Sequence, residues 1–155
     1  MEIIISKTNM NTVHFHPMVV HFSIALVVIG FVFDAYYIFI RKKEWKKTAG
    51  FFIMLLAAVA IFASWLTGEF FSRSYDGTGR DLKDLHELYA NITYLFFIIS
   101  FAIRIFVIYF KKEKKSYKYL FLIFQLLAVL TIVYCGYLGG LLVYDYSMDL
   151  RIIQQ

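Results

Sequence analysis

The chain has 155 residues, 61% of them hydrophobic, 20% aromatic and 17% charged, with a net charge of +5. Ordinary globular domains are about 45–50% apolar, so this composition excludes a soluble fold and leaves a single membrane domain, 1–155. The positive charge sits in two short clusters between apolar runs, which sets nucleic-acid binding aside.

Residues 1–13 form a polar-to-apolar lead-in with no basic stretch, so a cleavable signal peptide is not expected. The run His14-Phe15-His16-Pro17-Met18-Val19-Val20-His21-Phe22 then gathers three of the four histidines. Pro17, the only proline, suits a first helical turn, where its missing N–H has no partner to lose. This predicts His16 as N-cap, Pro17 as first helical residue and a span over 17–40 whose one charge is Asp34. The face through His16, Val20, Ser23, Val27, Gly30 and Asp34 is small or polar and suits a bundle interior. A second small face runs through His21, Ala25, Val28 and Ala35, while Phe22, Phe33 and Phe39 are left for lipid. The loop 41–47 carries five basic residues and Trp45, an interfacial anchor.

An uncharged span over 48–68 follows, with Ala57, Ala60, Ser64 and Gly68 on one face that admits a close helix or a flat cofactor. In the loop 69–87, Asp76-Gly77 and Thr78-Gly79 signal turns, and Asp81 is the predicted N-cap of a helix through His86. That helix runs into a span over 86–110 whose apolar run, Leu88–Phe110, carries one charge, Arg104. A second basic loop, 111–118, leads to an uncharged span over 119–144 containing Gly136 and Gly140 in GxxxG spacing and the only cysteine, Cys135. No internal repeat is evident.

Each span reaches the roughly 20 residues that cross a bilayer. The prediction is an all-α membrane protein, a four-transmembrane-helix bundle. Eleven of the sixteen basic residues fall in or beside the two short loops. The positive-inside rule therefore makes those loops cytoplasmic and puts both termini outside.

All four histidines fall on that outer side. His21 and His86 are each the fifth residue from their predicted helix starts, on helices running the same way, so they are expected at equal depth. From there they could grip a haem iron from opposite sides. His16, about 140° from His21 around the helix, would support the site, and Arg73, Arg80 or Lys83 could pair with haem propionates. Two other readings stay open: histidines that are structural in a membrane scaffold or accessory subunit, and a copper or zinc site from His14, His16 and His86. Asp34 and Arg104 lie near the same end and are expected to form an ion pair, with proton transfer by Asp34 as the alternative. Glu69 is placed to receive a bond from an outer histidine or the 69–87 loop.

His16-Pro17-Met18-Val19-Val20-His21-Phe22, Asp34, Leu66-Thr67-Gly68, His86 and Gly139-Gly140-Leu141-Leu142-Val143-Tyr144 together resemble the bacterial membrane family known as domain of unknown function 2231. The resemblance runs from about His16 to Tyr146. It implies a four-helix domain of the bacterial inner membrane, in some relatives joined to Rieske or cytochrome c-type domains. By that company it implies electron transfer at the outer face, with quinol and an outer-face carrier as partners in a larger assembly. The chain departs from the family pattern at Ser23, where proline is common, and at Leu141, where glutamate is common.

Overall fold

The computed structural model describes residues 15–41, 48–71, 77–112 and 114–145. They form four helices: α1 (Phe15–Tyr36), continued by a π-helical segment (Tyr37–Arg41), α2 (Ala49–Phe71), α3 (Thr78–Phe110) and α4 (Lys115–Tyr144). All four are long and apolar enough to cross a membrane. A bilayer offers the backbone no water, so apolar runs of this length close every N–H and C=O bond internally as helix.

Two boundaries differ from the sequence reading. Helix α1 begins at Phe15, ahead of the expected His16 cap, though Pro17 still falls in its first turn. Helix α3 begins at Thr78, with Gly77 as N-cap at φ 56, not at Asp81. Gly77 takes that left-handed backbone at no steric cost, and the turn there closes through Arg80 N–H to Gly77 O at 3.0 Å.

Helix α1 packs along α2, and α3 along α4. The α1–α4 seam joins the two hairpins, and α2 and α3 touch least among these neighbours. Large apolar side chains such as Phe22, Leu56, Leu95 and Leu130 point outward, where lipid solvates them. The interior takes small and polar groups instead: Ser23, Asp34, Thr67, Thr93, Ser100, Arg104 and Gln125 are all buried among Val27, Met54, Ala57, Phe97 and Ala128.

The inward positions repeat. Adding 70 to the buried positions of α1 gives four of the six in α3: Ser23 and Thr93, Val27 and Phe97, Gly30 and Ser100, Asp34 and Arg104. Adding 71 takes α2 to α4: Met54 and Gln125, Ala57 and Ala128, Ile61 and Ile132, Thr67 and Leu138. Each member of these pairs is buried. The bundle is thus one helical hairpin used twice, a repeat the linear sequence conceals. Hydroxyl pairs tie each hairpin internally, Ser23 Oγ to Ser64 Oγ at 2.7 Å and Thr93 Oγ1 to Thr131 Oγ1 at 2.9 Å.

Candidate functional site

The same offsets place His16 level with His86, and Gly68 level with Gly139. These four residues make a layer at the end of the bundle where α1 begins and α4 ends. His16 lies against Gly68, where a Cβ would stand 3.1 Å from the ring Cε1, and His86 lies against Gly139, where a Cβ would stand 3.2 Å from its Cε1. Each glycine removes the one atom that would push its imidazole away.

Nδ1 of both rings is held by oxygen. His86 Nδ1 is 3.0 Å from the Cys135 carbonyl, which only accepts, so this nitrogen carries the proton. His16 Nδ1 is 2.9 Å from Thr67 Oγ1, whose own proton has an acceptor in the Ser64 carbonyl at 3.1 Å. The Thr67 oxygen therefore receives the His16 Nδ1–H. Ser64 and Cys135 are themselves equivalent positions of the two hairpins. Both imidazoles are thus tied toward the same backbone carbonyl, one directly and one through a hydroxyl. This assignment leaves both Nε2 atoms with a lone pair, the arrangement of a metal-ligating histidine whose other nitrogen is held by a carbonyl.

His21 does not join them. It is exposed on the outward face of α1, and its Nδ1 bonds the carbonyl of Pro17 one turn back on its own helix. The expected pairing of His21 with His86 at equal depth gives way to His16 with His86, because the two helices begin at different distances from their histidines. Lys83 pairs with Glu87 at 3.4 Å along α3, and Arg80 is exposed. His14 and Arg73 lie outside the described residues, as does the side chain of Glu69. Gly136 lies against Ile24 of α1, whereas a Cβ at Gly140 would meet nothing within 4 Å, so the GxxxG pair is not one contact.

The opposite end holds the expected ion pair. Arg104 Nη1 lies 2.6 and 2.7 Å from the Asp34 carboxylate oxygens, and Nη2 donates to Thr48 Oγ1 at 3.0 Å. Gln125 Nε2 donates to Asp34 Oδ2 at 3.3 Å, while its Oε1 finds no partner among the described residues. The rings of Phe51 and Phe121 flank the guanidinium at 5.3 and 5.2 Å. Gly50 lets the α2 backbone approach the carboxylate so closely that any Cβ would collide with it. Every helix contributes, and the layer reads as an electrostatic clasp.

Thr67, Gly139 and the Cys135 carbonyl were invisible as site residues in the sequence. The shared spacing of 18 residues from His16 to Asp34 and from His86 to Arg104 sets His16 level with His86, and Thr67 and Gly139 stand in the motifs that carry the family resemblance.

No curated protein and no solved structure matches the chain. A family model described as "Predicted membrane protein (DUF2231)" matches residues 12–150. The four apolar helices and the end-to-end match agree, and the chain belongs to that membrane-protein family.

Proposed function

We propose that the protein is a membrane-embedded electron-transfer module in which His16 and His86 hold the iron of a b-type haem. The observation that supports this most is the matched pair of imidazoles, each with Nδ1 fixed on oxygen and Nε2 left as a donor. Donor number favours haem over a bare ion. A zinc site asks for three or four protein ligands, whereas haem iron brings four nitrogens of its own and needs one or two more. Among the described residues no group of three or more His, Cys, Asp or Glu is placed to hold a metal ion. Haem held there supplies one-electron transfer. The chain's part is to orient the two rings through Thr67 and the Cys135 carbonyl, and to keep water out with the apolar layers below.

Room for the macrocycle is the demanding point. The cavity between α2 and α3, of about 110 Å³, is lined by Ala58, Ile61, Phe97 and Phe101 among others, roughly 10–16 Å below the histidine layer, so it is not the room a haem on His16 and His86 would fill. Small-molecule sites are commonly about 300–1,000 Å³. With the basic loops in the cytoplasm, the histidine layer faces the outer side of the bacterial inner membrane. Quinol and an outer-face carrier are then the electron partners.

A copper or zinc ion is the second reading. The contact that favours it is Cys135 Sγ, 3.5 Å from His86 Nδ1 and 3.9 Å from Nε2, a sulfur beside one imidazole. One spectrum separates the two. Protein purified in mild detergent from haem-replete cells is expected to show a Soret band, with α and β bands that sharpen on dithionite. His16→Ala and His86→Ala should abolish the band or turn it high-spin, and His21→Ala should leave it intact. Stoichiometric metal without a Soret band transfers the site to the second reading. Colourless, metal-free protein overturns both.

A further inference from the structure

The two hairpins meet along two seams, and the repeat makes those seams equivalent: α1 against α4, and α3 against α2. They do not close alike. At the α1–α4 seam Ile24 seats on Gly136, where a Cβ would stand 2.7 Å from the Ile24 Cδ1. Adding 70 to Ile24 gives Tyr94, and subtracting 71 from Gly136 gives Trp65. Two large rings thus stand where an aliphatic chain and a bare backbone let the first seam close, and this second seam is the one where neighbouring helices touch least. The cavity of about 110 Å³ lies in it, lined from α2 by Ala58, Ile61 and Phe62 and from α3 by Tyr94, Phe97 and Phe101 among others. Phe62, Tyr94 and Phe97 are aliphatic at the equivalent places of the repeat, as Val133, Ile24 and Val27. The aromatic lining therefore belongs to the open seam and is no general property of the hairpin.

Walls of this kind select a flat ring. Phe62 stacks with Trp65 at 6.2 Å and 21° on α2, and Phe97 with Phe101 at 6.4 Å and 19° on α3. Aromatic faces and edges attract a further ring beyond the area it buries. A cavity of about 150 Å³ lined by apolar side chains takes benzene, so about 110 Å³ holds one ring and no macrocycle. Phe62 is 52% exposed and Tyr94 38%. The mouth therefore opens sideways onto the bilayer, and the occupant enters from lipid and leaves any tail there. Tyr94 stands about 12 Å below the histidine layer and carries the only hydroxyl among the lining side chains, a donor for a carbonyl on the ring. A lipid acyl chain offers neither ring nor, at this depth, an acceptor. The geometry points to this cleft as the binding site for the head ring of a membrane quinone, held between Phe62 and the Phe97–Phe101 pair and bonded by the Tyr94 hydroxyl. In naming the place of the quinol partner this rests on the electron-transfer reading, yet the ring binds here without any contact to haem.

The test reads Trp65, whose ring stacks with Phe62 at the cleft. Trp45→Phe leaves it as the only tryptophan. The full-length chain in lipid nanodiscs is titrated with decylubiquinone while Trp65 fluorescence is followed. Saturable quenching is expected, and decanol, a tail without a ring, should not relieve it. Ala58→Phe fills the cleft and should abolish the saturable part. Tyr94→Phe should weaken it about two- to twelvefold, the range of one net hydrogen bond. This second variant keeps the ring and the packing, so its result stands even where Ala58→Phe fails to fold. Quenching that never saturates, that a folded Ala58→Phe retains, that Tyr94→Phe leaves unchanged or that decanol relieves overturns the inference, the last giving the cleft to an acyl chain. The Soret band is read on the wild-type chain alongside. Saturable binding without the band keeps the cleft and removes the haem, and the band without saturable binding does the reverse.

Discussion

Neutralising one member of the Asp34–Arg104 pair is the sharpest test of how the bundle is held. Both side chains are 0% exposed, and one Arg104 nitrogen serves both carboxylate oxygens at 2.6 and 2.7 Å. Asp34→Asn takes the Asp34 charge from a buried guanidinium whose remaining contacts include the Thr48 hydroxyl and two aromatic faces. Arg104→Met strands a carboxylate whose remaining donors include the Gln125 amide at 3.3 Å. Breaking a buried pair from one side costs about 3–5 kcal/mol, because the survivor keeps its full desolvation penalty. At about 2–4 °C per kcal/mol for a chain of this size, each single variant should melt about 6–20 °C lower. The double variant Asp34→Asn/Arg104→Met leaves neither charge stranded, so it should be more stable than either single change. Unfolding in mixed micelles by SDS titration, followed by circular dichroism, completes the double-mutant cycle. Single variants that each lose under about 1 kcal/mol, or losses that simply add in the double, would refute the clasp; the first is the range of an exposed pair.

Gly50→Ala should destabilise by about 1–3 kcal/mol, the scale of overpacking, because its Cβ meets the Asp34 carboxylate; the same titration reads it. Gln125→Met should change stability by less than about 1 kcal/mol, since it loses one long hydrogen bond and also removes a buried carbonyl with no partner. Thr67→Val should broaden or shift the low-spin haem spectrum by freeing the His16 ring, and Thr67→Ser should restore it; equal spectra for the two would remove Thr67 from the site.

The number and class of the helices were legible because four apolar runs each reach the width of a bilayer and are parted by turns or lysines. Their ends were less so. The start of α3 depends on a glycine N-cap at positive φ, and the Asp-Gly, Thr-Gly and Asp81 signals nearby gave several starting points for one helix. Asp34 and Arg104 could be paired in advance because they are the lone charges of the apolar runs Met18–Ile40 and Leu88–Phe110, and neither is tolerable there alone. The equal depth expected of His21 and His86 was read from helix starts, and the starts of α1 and α3 at Phe15 and Thr78 moved that landmark.

The ion pair was the better ruler. Two rigid helices running in one direction, pinned at Asp34 and Arg104, must agree in depth at every equal count from the pin, since each residue rises 1.5 Å. Eighteen residues back from Asp34 is His16, and eighteen back from Arg104 is His86. The count needs no assumption about where either helix begins. It also uncovers the repeat, which residue identity hides because only inward positions are constrained to match in size and polarity, while lipid-facing positions need only be apolar. The clasp at one end therefore sets the register of the layer at the other. On this geometry, loosening Asp34–Arg104 without unfolding the chain should misalign His16 and His86, some 27 Å away along each helix, before it disturbs either hairpin.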